Sequence, residues 1–140
     1  MKMKLKEINK HFAELAGLGK KVFPSRLGFA ISCNLESFQA ELERAEKIRT
    51  KLCETYAQKD ENGNAVKVDS VVNNRKTQEY KMSDEDRNAF SEEYSQFMET
   101  EVEVEIRKAK MEDIERCEKA ERYDIPNVAE LVALSFMLEE

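Results

Sequence analysis

"PSRLGFAISCNLESFQAELERAEKIRTKLCETYAQ", residues 24–58, decides the fold class. Leu27, Ile31, Leu35, Phe38, Leu42, Ala45, Ile48, Leu52 and Tyr56 span 29 positions in eight steps, which is the repeat of an α-helix and not of a strand. Pro24 suits the opening turn, where its missing N–H is not needed. A helix over 24–58 is roughly 50 Å long at 1.5 Å per residue. Few elements of a 140-residue chain can cover that length, so the spacing predicts an antiparallel partner helix and a homo-oligomer, a symmetric pair being the commonest solution.

Working outward, Leu5, Ile8, Phe12 and Leu15 give a shorter helix one apolar face, and Gly17 and Gly19 can end it. Beyond residue 58, "KDENGNAVKV" breaks the helix and offers a short strand. "TQEYKM" returns beside it as the second arm of a loose hairpin, with the polar "DSVVNNRK" as a mobile connection. Ser83 with Asp86 three residues on is an N-cap signal for a helix near 84–99, whose Phe90, Tyr94 and Phe97 step by four and three. "ETEVEVEIRK" alternates, placing Val102, Val104 and Ile106 on one face of a half-buried strand and Glu101, Glu103 and Glu105 on the other. A last helix begins around Pro126 and buries Val128, Leu131, Leu134 and Met137. The expectation is a single α+β domain, 1–140, predominantly helical: long antiparallel helices with a small β element from 65–82 and 101–108.

Composition limits the function. The apolar set is 41% and the charged set 37%, which favours long solvated helices. No run approaches the ~18 apolar residues of a membrane span, and "MKMKLKEINKHF" lacks the apolar centre of a signal peptide. Cys33, Cys53 and Cys117 are an odd number with no CxxC spacing and read as buried thiols. His11 is the single histidine, and neither a phosphate-binding glycine loop nor a nucleophile elbow is present, so the expectation is a protein that is not an enzyme and needs no cofactor. Glu101, Glu103 and Glu105 share a strand face that could hold Mg²⁺, but a solvated face explains them equally well.

The net charge of −6 is unevenly spread. Residues 1–26 hold seven Lys/Arg against Glu7 and Glu14, a balance of +5, whereas the remainder stands at −11. An acidic bulk disfavours general binding to duplex DNA. Ser83 to Glu105 carries nine Asp/Glu against Arg87, a pattern shared by nucleic-acid mimics and by ordinary solvated faces. The basic segment "KKVFPSRLGFA" sits where a helix starts, and free N–H groups with the helix dipole favour an anion there. Lys20, Lys21, Ser25 and Arg26 are therefore the candidate ligand-binding residues for a small anionic nucleotide, with Arg75, Lys76 and Tyr80 of the hairpin closing over it. The competing reading is that Lys20 and Lys21 solubilise a turn, Phe23 packs on the core, and Arg26 pairs with an acidic residue such as Glu7.

"KKVFPSRLGFAISCNLESFQAELERAEKIRTKLCETYAQKDENGN", "EYKMSDEDRNAFSEEYSQFMETEVEVEIRKAKMEDIE" and "PNVAELVALSFMLEE" together resemble a family of small uncharacterised proteins from phages and prophages of Gram-positive bacteria. The likeness runs from about Phe12 onward. It implies phage origin, a place in the host cytoplasm and no known enzymatic activity, and it assigns no site residue. Small phage proteins of this kind counter a host defence, by sequestering a nucleotide signal or blocking a defence protein, or else serve as components or chaperones of virion assembly.

Overall fold

The computed structural model describes all 140 residues and is a predominantly helical α+β structure. In chain order the elements are β1 (Lys2–Lys4), α1 (Leu5–Ala16), α2 (Ser25–Tyr56), β2 (Lys67–Val72), β3 (Arg75–Tyr80), α3 (Asp84–Phe97), β4 (Glu101–Glu103), β5 (Ala109–Lys110), α4 (Met111–Arg116), α5 (Val128–Leu134) and β6 (Leu138–Glu139), with a 3₁₀ turn at Ser135–Met137. They form two compact units, Met1–Glu43 with Glu101–Glu140, and Arg44–Thr100. The long helix α2 begins in the first and ends in the second.

The first unit holds most of the core. Ile8, Leu15, Leu27, Phe38, Leu134 and Met137 are fully buried there. β1 pairs antiparallel with β4 in the register Lys2↔Glu103, Met3↔Val102 and Lys4↔Glu101, so the Lys/Met alternation of one strand meets the Glu/Val alternation of the other. Opposite charges thus face each other on either side of an apolar pair, a favourable cross-strand arrangement. The expected continuity of 101–108 with the hairpin does not occur. Glu101–Glu103 instead pairs with residues 2–4, although the burial alternation continues through buried Val104 to half-buried Ile106. β5 and β6 form a short parallel pair, Ala109↔Leu138 and Lys110↔Glu139.

One polar side chain lies inside this core. Asn34 is completely buried, on the same stripe of α2 as Leu27, Ile31 and Phe38, while Leu35 is only half-buried. Its Oδ1 accepts from the Arg107 N–H at 2.7 Å, and its Nδ2 donates to the Arg107 carbonyl at 3.0 Å. The amide thereby replaces a missing strand neighbour for irregular backbone between β4 and β5.

α5 starts later than Pro126 because Asn127 caps it: Asn127 Oδ1 accepts from Glu130 N at 2.8 Å and Glu130 Oε1 accepts from Asn127 N at 3.0 Å. This start turns Val128 outward, 78% exposed, against the sequence expectation, and buries Ala133 beside Leu134.

In the second unit, Tyr56 of α2 packs edge-on against Phe90 of α3, with ring centroids 6.4 Å apart, and its hydroxyl donates to Glu93 at 2.8 Å. Arg49, nearer the middle of α2, lies within electrostatic reach of Tyr94, so residue numbers fall along α2 as they rise along α3 and the two are antiparallel. Ser83 Oγ accepts from Asp86 N at 3.1 Å, the expected N-cap, and Asp84, Glu85 and Asp86 complement the helix dipole. The connection at 69–76 differs from the mobile stretch expected. β2 and β3 pair over six residues each, closed by Asn73 and Asn74 alone, with φ of 52° and 63°. Asparagine tolerates this left-handed region, which two-residue hairpin turns need at both positions.

Two outcomes follow. Asn34→Ala leaves two backbone groups of Arg107 without partners and is expected to destabilise the protein by about 2–4 kcal/mol in urea denaturation. A loss below about 1 kcal/mol would show that the amide clamp is dispensable. The second concerns His11, whose ring lies 4.3 Å from Phe136 and 6.1 Å from Phe38 and whose Nδ1 has no hydrogen-bond partner. Burial, partly opposed by Glu14, lowers its pKa below the ordinary 6.5. The folded state therefore disfavours protonation, and the stabilisation is present above pH 6.5 and lost as pH falls through the folded value. The wild type should lose thermal stability more steeply than His11→Gln over this acidic window, whereas parallel profiles would contradict the assignment.

Candidate functional site

The first turns of α2 put Arg26 and Phe29 three residues apart on one helix face. Asn34, further along, anchors the Arg107 backbone, and the Arg107 guanidinium lies over the Phe29 ring at 4.7 Å. Lys108 is drawn aside, its Nζ donating to the Phe136 carbonyl at 2.6 Å. β5 then carries Lys110, and α4 follows at once to supply Asp113. These residues, with Ala109 and with Glu139 of β6, enclose a cavity of about 240 Å³. It is lined by four cations, Arg26, Arg107, Lys108 and Lys110, against two carboxylates. No ion pair or hydrogen bond engages the side chains of Arg26 or Lys110.

Asp113 is the unusual member, with 2% exposure and an Oδ1 that has no hydrogen-bond partner. Arg116 Nη1 stands 3.7 Å from that oxygen, near enough for attraction but beyond hydrogen-bond length. A larger open groove of about 800 Å³ shares Arg107, Lys108 and Glu139 with this cavity and is also lined by Cys33, Asn34, Glu103 and Glu105. Its charge is mixed.

The residues expected from the sequence are distributed as follows. Arg26 lines the cavity. Ser25 is exposed as the first residue of α2, and Lys20 is exposed on the turn before it. Lys21 is instead paired, its Nζ 3.3 Å from Glu130 Oε2. The turn itself is fixed by Asp124: Val22 N donates to Asp124 Oδ2 at 2.6 Å, and Asp124 N donates to the Val22 carbonyl at 2.7 Å. The acidic partner of the turn's lysine is thus Glu130. Glu7 is used elsewhere, accepting from the Lys4 N–H at 3.3 Å.

Arg75, Lys76 and Tyr80 belong to the second unit. Arg75 and Lys76 are exposed strand residues next to the tight turn, opposite Val72 and Val71. Tyr80, at the far end of β3, already carries Lys67 Nζ over its ring at 4.9 Å, and it borders a cavity of about 360 Å³ with Arg49, Arg87 and Phe90.

Four cavity residues were not singled out in the sequence: Phe29, Arg107, Lys110 and Asp113. The run "IRKAK", residues 106–110, was a legible signal, since three cations in four positions follow directly on the Glu/Val alternation. Nothing local marks Asp113.

All three cysteines are free, with Cys53 and Cys117 buried and Cys33 half-buried. Burial pushes the Cys53 and Cys117 thiols above their ordinary range, away from nucleophilic use. No group of three or more His, Cys, Asp or Glu is placed to hold a metal ion. No helix is long and apolar enough to cross a membrane. No protein-family model, curated protein or solved structure matches this chain.

Proposed function

We propose that this chain is a non-enzymatic accessory binding protein that holds a small anionic ligand of the nucleotide class in the cavity beside the start of α2. The supporting observation is the convergence of Arg26, Arg107 and Lys110 on one concavity, with Arg26 and Lys110 free of ion pairs in a protein of net charge −6. An acidic molecule that leaves cations unneutralised in a cavity has a local preference for anions. The resemblance to small phage and prophage proteins supplies the setting: sequestration of a nucleotide signal, or contact with a defence protein, in the host cell. His11 is packed between aromatic rings and unavailable as a general base, in keeping with a non-catalytic role.

A role as a virion assembly component or chaperone is the second reading. It is favoured by Val68, Val71 and Val72 of the hairpin, exposed by 41%, 70% and 47%, which form an apolar strip suited to a protein partner. A homo-oligomer belongs to the proposal in either case, because Ile48 on the α2 stripe remains 46% exposed and α3 buries none of its residues.

Calorimetric titration with a panel of linear and cyclic nucleotides tests the main reading. Micromolar binding is expected for at least one, and Arg26→Ala and Lys110→Ala should each weaken it roughly ten- to a hundredfold, the worth of one charge-assisted hydrogen bond. Absence of binding across the panel, or intact binding in both variants, would leave the assembly reading in its place. Light scattering on the same samples should give a mass above the 16.3 kDa of one chain. A monomer throughout would remove the oligomer.

A further inference from the structure

We infer that the cavity is selective for guanine nucleotides, with the buried carboxylate of Asp113 reading the Watson–Crick edge of the base. This rests on the nucleotide-binding reading above and specifies its ligand. A carboxylate that is 2% exposed with an oxygen lacking any hydrogen-bond donor is costly, because burial removes water without replacing it. Its position among the lining residues of a cavity means that a ligand can supply the missing donors.

The surrounding charge narrows what that ligand is. A free ammonium ion or a divalent metal would satisfy Asp113 but would meet four cations, Arg26, Arg107, Lys108 and Lys110, around the same space. A simple inorganic anion would suit those cations but be repelled by Asp113 and Glu139. The ligand that answers both presents N–H donors at one end and negative charge at the other. Its donor end is planar, because Phe29, 56% exposed, and the guanidinium of Arg107 over it offer flat faces at the mouth. The cavity, about 240 Å³, is smaller than the roughly 300–1,000 Å³ of sites that enclose a whole drug-sized ligand. It therefore admits one ring system and leaves phosphate at the cationic rim.

Among the common bases, guanine alone places two adjacent donors, N1–H and the 2-amino group, where a carboxylate can accept both at once, a strong charge-assisted geometry. Adenine and cytosine set one amino donor beside a ring-nitrogen acceptor, which a carboxylate repels. In uracil the single N3–H lies between two carbonyl oxygens.

Titration of the full-length protein with GMP, IMP, AMP, CMP and UMP reads this directly. GMP should bind about tenfold or more tightly than AMP, CMP and UMP, with IMP, which lacks the 2-amino group, between them. Asp113→Asn, nearly the same size, should bring GMP down to the AMP level while leaving AMP binding within about threefold. Equal binding of all five by the wild type would overturn the base assignment and leave nucleotide binding intact. Failure of all five to bind would overturn both. Should Asp113→Asn not fold, as judged by circular dichroism, the wild-type order of GMP, IMP and AMP decides the question alone.

Discussion

The first unit depends on the amide of Asn34. A helix side chain that both accepts from and donates to the backbone of Arg107 does what a neighbouring strand would do, and it does so inside an apolar stripe where an unpaired amide would be costly. Because the bond partners are main-chain atoms, the fixed object is the path of residues 104–108. That path carries the alternation of β4 into the basic run and sets Arg107 over Phe29, on the helix that supplies Asn34. The core and the cavity are two consequences of one contact.

Charge in this protein is divided between groups used for folding and groups left available. The turn preceding α2 is held by Asp124 and Glu130, and Lys21 is consumed there. Lys108 is spent on the Phe136 carbonyl. Arg26 and Lys110 have no such obligation, and their positions on separate elements bring them to the same cavity. A basic segment in a sequence is therefore a poor guide to a binding site until its acidic neighbours in space are known. Here only Arg26 of the four helix-start candidates reaches the cavity.

Much of the fold was legible because periodicity is a local property. The α2 stripe, the Ser83 cap and the Phe90/Tyr94/Phe97 spacing each express one element and needed no knowledge of distant chain. The misreadings involve long-range pairing. "MKMK" looked like a charged leader until residues 101–103 supplied its complementary strand, and that register is a property of two segments about 100 residues apart. Leu35 was placed on the α2 stripe ahead of Asn34 because hydropathy ranks leucine as the core residue, whereas the buried position goes to the side chain that can satisfy Arg107. The Asn73–Asn74 turn was locally encoded, since asparagine accepts positive φ, but its polarity suggested a loop. Asp113 was beyond sequence reasoning, for its meaning lies in the absence of a donor around it.

The central claim is that the Asn34–Arg107 contact builds an anion-binding cavity between the start of α2, β5 and α4. Backbone amide chemical shifts of the isotope-labelled protein, followed during titration with GMP, test it most directly. The account predicts saturable shifts concentrated at residues 26–29, 107–113 and 138–139. Shifts centred on the hairpin at 67–80, or none anywhere, would contradict it.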